Sequence, residues 1–412
     1  MHNELRGSFQ YMKALNRSII LNQIRQEEPI SRAELAKKTS LTPPTVSNIV
    51  KELIESGFVL ESKQGQSSGG RKPTMLVINS KNFYVIGLDV GPKYLRVVLT
   101  DLNGTVMNSF KKLIPSSLSN EDLLTFLIQA IREVMDHYKN ELSKIIGIGI
   151  GMHGIVDVDQ GLSLYAPTLR LQNVPIKSSL EKEFTIPVKV ENDARVLALG
   201  ESWFYNDTGH KNMITINVGR GIGAGIVING NPFYGNNFIA GEVGHMIIDS
   251  DGIQCSCGNY GCLQTLATGP AMANKAIKEI SNGRSSLLQK MTLNNSHNIT
   301  GKLIYEAAIK GDELSKEVLK GAGIALGIGL TNIIHILNPE RIVIGGGVSN
   351  AGDFVLGSVK ETIAKRALTM AAKKTDIVIS KSGEYGTAVG AVALIINENF
   401  SSDTLHFDTM NM

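Results

Sequence analysis

Met213-Ile-Thr-Ile-Asn-Val-Gly219, with Gly221-Ile-Gly-Ala-Gly-Ile-Val-Ile228 and an Asn229-Gly230 turn behind it, repeats an earlier plan in the chain. That plan is Val85-Ile-Gly-Leu-Asp-Val-Gly91, a second apolar run from Tyr94 to Thr100, and an Asp101-Leu-Asn-Gly104 turn. Each copy reads as a strand, a Gly-rich turn, a second strand and a hairpin. A third strand follows from Thr105 in the first copy and near Phe233 in the second. Two copies about 128 positions apart predict two related lobes. Facing turns of this kind let backbone amides approach a phosphate across a cleft, although singly each is no more than a tight turn.

Around this repeat the composition is that of an α/β protein. The chain has 412 residues, 42% of them hydrophobic, and 42 glycines, enough for two or three globular units. The net charge of +3 is unevenly spread. Residues 1–80 hold 11 Lys+Arg against 7 Asp+Glu, and the remainder is near neutral. A surplus this small is a weak pointer to nucleic acid by itself. MHNELRGSFQ at the start has neither the apolar core nor the cleavage site of a signal peptide. The longest apolar stretch, Ala322 to Leu337, is Gly-rich and reads as a buried helix ended before Pro339 rather than a membrane span. Three cysteines, all between 255 and 262, exclude a secreted disulfide framework, and a cytoplasmic protein is expected.

The first 80 residues read as three helices and a wing. Leu15, Ile19, Ile20 and Ile24 share a helical face that ends near Glu28-Pro29. Ser31-Arg-Ala-Glu34 is a capping box, and Thr42 is an N-cap with Pro43 in the first turn. The third helix places Val46, Ile49, Val50, Leu53 and Ile54 inward, with Gly57 as its left-handed C-terminal cap. Its outward face offers Thr45, Ser47, Asn48 and Lys51, groups able to reach base edges and phosphates in a major groove. An isolated helix pair with a polar face would be the blander reading. Two strands, Phe58–Ser62 and Thr74–Ile78, flank the tip Gln64 to Pro73, whose Arg71 and Lys72 suit an A·T-rich minor groove. Helix-turn-helix and basic wing together predict DNA binding.

Two further segments carry chemistry. Val188-Lys-Val-Glu-Asn-Asp-Ala194 is a strand end running into a helix, where Asp193 is a candidate general base toward a sugar hydroxyl. From spacing alone, a helix-capping pair is the stronger reading of Asn192-Asp193. The glycines of Arg341-Ile-Val-Ile-Gly-Gly-Gly347 form either a ligand platform or only a turn. The sharpest signal is His245 followed by Cys255, Cys257 and Cys262. Three thiolates and an imidazole satisfy tetrahedral Zn2+, and a closed four-ligand site is structural rather than catalytic.

With these residues in place the sequence resembles the ROK family of repressors and sugar kinases, in its branch with an N-terminal winged helix (xylose-repressor-like, NagC/Mlc type). The resemblance covers nearly the whole chain and rests on the Gly-His-x9-Cys-x-Cys-Gly-x-x-Gly-Cys segment and the Ser-Ser-Gly-Gly-Arg-Lys-Pro wing. It implies a winged helix-turn-helix (1–80) joined to an actin-like, sugar-kinase-like body built from two ribonuclease-H-like lobes. The small lobe is expected at 81–200 with a C-terminal helix at about 386–400, and the large lobe with the zinc motif at 201–385. It also implies sugar contacts from Asn192, Asp193, Glu242, His245 and, where the family has Glu, Gln264. His245 would serve the metal with one ring nitrogen and the sugar with the other.

The departures from the family's kinases bear on activity. Their first phosphate loop, Asp-x-Gly-Gly-Thr, is Asp89-Val-Gly-Pro-Lys93 here, and Pro92 removes a backbone amide. Arg220 stands where kinases usually have Thr, and His153-Gly154 where they have Pro-Gly. The expectation is a body that binds sugar without phosphorylating it, with no role for ATP: a homodimeric or tetrameric repressor on operator DNA, controlled by a sugar such as xylose or a glucose-like hexose. The rival readings are an ATP-dependent sugar kinase with a regulatory head, and a regulator released from DNA by docking to a transport protein.

Overall fold

A computed structural model describes residues 9–64, 73–206 and 208–401. The chain opens with α1 (Phe9–Glu27), β1 (Ile30–Ser31), α2 (Arg32–Thr39), α3 (Pro43–Glu55), β2 (Val59–Gln64) and β3 (Thr74–Ile78). The local rules that start and stop these helices are met atom by atom. Ser31 Oγ accepts from the Glu34 amide while the Glu34 carboxylate accepts from the Ser31 amide. Thr42 Oγ1 accepts from the Thr45 amide, so Pro43 and Pro44 in the first turn forfeit nothing. At the other end Gly57 has φ +78°, and the Phe58 amide donates back to the Leu53 carbonyl.

Two features of the head differ from expectation. β1 is a third strand, pairing antiparallel with β3 in the order β1-β3-β2; two residues are too short to show a period. The buried stripe of α1 is Ile20, Leu21 and Ile24, with Ile19 exposed, because the helix packs on two surfaces rather than one.

A 3-10 turn at Ser80–Asn82 joins the head to the first five-stranded sheet. Its elements are β4 (Tyr84–Val90), β5 (Tyr94–Thr100), β6 (Val106–Leu113), α4 (Asn120–His137), β7 (Ile145–Met152), the small sheet β8 (Ile155–Asp157), β9 (Leu162–Ala166) and β10 (Leu171–Val174), then α5 (Ile176–Phe184), β11 (Val188–Asn192) and α6 (Asp193–Phe204). The second set has β12 (Met213–Val218), β13 (Ile222–Ile228), β14 (Asn231–Pro232), α7 (Gln264–Ala267), α8 (Gly269–Ser281), α9 (Leu287–Met291), α10 (Gly301–Ile309), α11 (Glu313–Leu337), β15 (Arg341–Gly345), α12 (Asp353–Arg366) and β16 (Asp376–Ile379). The closing helix α13 (Gly386–Phe400) returns to the first sheet.

The two sheets have the same order. The first runs β6-β5-β4-β7-β11 and the second β14-β13-β12-β15-β16. In each, the first three strands are antiparallel and the fourth and fifth are parallel to the first. The duplicated strand pattern is therefore a duplicated ribonuclease-H-like lobe. α13 lies on β4 and β7, where Gly87 and Gly149 leave room for the helix backbone itself. α11 passes for a membrane span by length and composition, yet 61% of its apolar window is buried inside the protein. Its Gly323 and Gly327 face α12 at Val355, Ser358 and Thr362, which explains the Gly-rich apolar run as close helix packing.

Candidate functional site

Of the expected sugar-site residues, Asn192 and Asp193 lie where β11 ends and α6 begins, Glu242 and His245 at a 3-10 turn (Val243–His245), and Gln264 at the start of α7. Asn192 ends β11 and caps α6, its Oδ1 accepting from the Ala194 and Arg195 amides at 3.0 and 3.3 Å. Its Nδ2 donates to the Gly154 carbonyl at 2.9 Å, tying the cap to the loop after β7. The capping role is thus realised, leaving Asn192 one amide hydrogen for a ligand. Asp193 opens α6. Its Oδ1 accepts from the Ala194 amide at 2.9 Å. Burial pushes the carboxyl up to about 6; the amide bond opposes that shift and the nearby charge of Glu242 adds to it.

At the turn between β4 and β5 the polar groups are bonded within the protein. Arg96, directly across the β4–β5 ladder from Asp89, donates to its carboxylate at 2.9 Å. The Gly91 amide donates to the Tyr94 carbonyl at 3.1 Å, and Pro92 has no amide to offer. Burial raises the Asp89 carboxyl to about 6 against the pull of Arg96. Beside it, His153 Nδ1 sits 3.0 Å from the Val90 carbonyl, so that nitrogen carries the proton and Nε2 is left buried without a partner. Arg220 projects, exposed, from the second loop. Arg96 went unnoticed in the sequence, although counting outward from the turn at 91–94 pairs Val90 with Leu95 and Asp89 with Arg96.

The four expected metal ligands converge. His245 Nδ1 and the sulfurs of Cys255, Cys257 and Cys262 all lie within 4.8 Å of one another. Cys257 and Cys262 sulfurs are 3.7 Å apart, as are Cys255 Sγ and His245 Nδ1. Zn–S bonds of ~2.3 Å in a tetrahedron put neighbouring sulfurs about 3.8 Å apart, so the set fits that ion and is too open for a disulfide. The turn that builds it depends on Gly261 (φ +67°), where a side chain would run into the Asp249 carbonyl. Burial opposes ionisation of the Cys255 thiol, but donation from the Cys257 amide and from Gln264 lowers it to about 6. Gln264 Nε2 lies 3.1 Å from Cys255 Sγ, which leaves its carbonyl and one amide hydrogen for a sugar. The other ring nitrogen of His245 is 3.9 Å from Glu242, linking the metal set to the cleft.

In the head, α3 buries Val46, Ile49, Val50 and Leu53 and leaves Ser47, Asn48 and Lys51 exposed on one face. Thr45 is half-buried and hydrogen-bonded to Thr42 Oγ1 at 2.8 Å; Ile54, expected inward, is also half-buried. Arg71 and Lys72 of the expected wing tip lie outside the described residues.

Residues 85–398 match the model of the ROK family, and residues 16–59 match a winged helix-turn-helix DNA-binding model. The xylose repressor of Caldicellulosiruptor bescii is 33% identical over 395 residues, 96% of this chain and 98% of that protein. The crystal structure of a ROK family transcriptional regulator, a homologue of the E. coli MLC protein, superposes with TM-score 0.82 at 29% identity, covering 94% of this chain and 97% of that one. A ROK family glucokinase from Streptomyces griseus, in complex with glucose and AMPPNP, matches 76% of this chain and 98% of its own (TM-score 0.64, 27% identity).

Proposed function

The chain belongs to the ROK family, and from that premise we propose that it is a sugar-responsive, sequence-specific DNA-binding repressor of sugar-utilisation genes. The observation that carries the proposal is α3, whose apolar face is buried in a head continuous with a two-lobed body and whose polar face leaves Ser47, Asn48 and Lys51 exposed. In this reading residues 1–80 bind DNA, 81–200 with the helix at about 386–400 form the smaller lobe, and 201–385 form the larger. Thr45, Ser47, Asn48 and Lys51 enter a major groove, and Arg71 and Lys72 follow the adjacent minor groove.

Asn192, Asp193, Glu242 and His245 hold the sugar, with the Gln264 carbonyl beside them. Asp193, largely ionised at neutral pH, accepts a sugar hydroxyl. His245, Cys255, Cys257 and Cys262 would hold Zn2+, which when bound cross-links the loop that carries Glu242. We read the body as a sugar kinase that has lost transfer. Arg96 holds Asp89, Pro92 withholds an amide, and the reading gives ATP no role. Two protomers on a palindromic operator in the cytoplasm complete the picture, sugar favouring one closure of the lobes and thereby changing operator affinity.

Gel shifts of the full chain on DNA from its own upstream region, with and without D-xylose, D-glucose or their phosphates, test this. Sequence-specific binding relieved by sugar is expected, and its absence overturns the proposal. Asp193 at the start of α6 favours a second reading, an active kinase, which sugar-dependent ADP release would establish. Binding insensitive to sugar and relieved only by a membrane fraction would favour docking to a transport protein.

A further inference from the structure

One helix touches both ends of the proposed machine. α6 begins at Asp193, capped by Asn192, beside the proposed sugar site, and in its last turn carries Trp203 against the head. Its 12 residues span about 18 Å. The guanidinium carbon of Arg25, on α1, lies 4.0 Å from the centroid of the Trp203 ring, and Arg25 Nη1 donates to the Trp203 carbonyl at 3.4 Å. The Arg25 Nε is buried without a hydrogen-bond partner, so the ring face is what receives this cation. The same ring meets Phe400 edge-on at 5.8 Å, and Ser18 and Asn22 of α1 donate to the Phe400 carbonyl at 2.5 and 2.8 Å.

α6 has no slack along its length. From Ala194 to Glu201 every residue is buried. On the large-lobe side, a side chain at Gly225 of β13 would run into Ala194 and Ala198. On the other side, one at Gly390 of α13 would strike the Val196 carbonyl, and one at Gly200 would come within 2.6 Å of the Gly390 Cα. A helix held backbone to backbone between two lobes moves as a rod when the lobes change their closure.

We propose that α6 couples the sugar site to the DNA-binding head, a displacement at Asn192-Asp193 being delivered to α1 through the Trp203–Arg25 stack. This rests on the reading above that the α6 N-terminus faces a sugar. Arg25 and Trp203 are positioning residues here: they act through α1 and α6. Linkage requires the coupling to run both ways, operator binding altering sugar affinity by the same factor.

Trp203 is the only tryptophan of the chain, so its emission reports the contact directly. The full-length protein is titrated with D-xylose and with D-glucose without DNA, following Trp203 emission and, in parallel, the heat of binding. A saturable emission change with the calorimetric midpoint is expected. In R25Q, sugar heat and sugar-free operator affinity stay within about threefold of wild type. The sugar-induced change in operator affinity, typically 5- to 150-fold for coupled sites, falls below about twofold. If R25Q melts early, R25K, which keeps the charge without the planar stack, is read in its place. Heat with silent Trp203 and an unchanged sugar effect in the Arg25 variant overturns the coupling alone. No heat with either sugar overturns the sugar reading, and the coupling with it.

Discussion

Arg96 Nη1 lies 2.9 Å from Asp89 Oδ2, across one rung of the β4–β5 ladder. Both side chains are largely buried, so the pair is held in a poorly solvated place. Replacing Arg96 with Ala strands the carboxylate and is expected to cost about 2–4 kcal/mol in urea unfolding. D89N in the same chain should restore most of that loss, because no buried charge is then left alone. Equal stability of R96A and wild type would show that the pair holds nothing.

Asp193 sets a pH dependence. Its folded carboxyl is raised to about 6 from the ordinary 3.8, so the folded state binds the proton more tightly than the unfolded chain. Stability from this group is therefore greatest below about pH 4 and is lost as pH rises through about 6. D193N should reduce the slope of the stability profile between pH 4 and 6, Asp89 supplying part of what remains, and raise stability at pH 7.5 by about 1–2 kcal/mol. The same variant should weaken sugar binding at least tenfold in calorimetry. A profile unchanged by D193N would contradict the assignment.

The cysteine–histidine set predicts one Zn2+ per chain by metal analysis. C257S should fall well below that stoichiometry, and chelation of the wild type should lower Tm by several degrees. Removal of the ion frees the loop around Cys255 and Cys262, and with it Glu242, so sugar affinity should fall together with Tm. A metal-free wild type with an unaltered melt is the contrary result.

On DNA, Asn48 and Lys51 should separate by mechanism. N48A should weaken operator binding by about 1–3 kcal/mol and relax preference at one base pair. K51A should weaken operator and random DNA alike and reduce the salt slope by about 1. Quantitative gel shifts at several salt concentrations distinguish the two, and identical profiles for both variants would contradict these placements on α3.

The strand–glycine–strand repeat, the Ser31 and Thr42 caps, the α3 face and the metal spacing were legible in the sequence. Each is local chemistry: a period, a cap or a ligand count that neighbouring residues alone determine. Tertiary structure decided what those groups do for one another. The Asn192 amide serves as a cap and a tie to Gly154, and Gln264 gives one of its two amide hydrogens to Cys255; neither commitment can be read from spacing. Ile19 turned outward and Leu21 inward because α1 packs on α13 as well as on its own head, a surface supplied by residues almost 400 positions away. The same is true of Arg25 and Trp203. Contacts between distant segments depend on how the two lobes and the head are stacked, and nothing in a local window encodes that stacking.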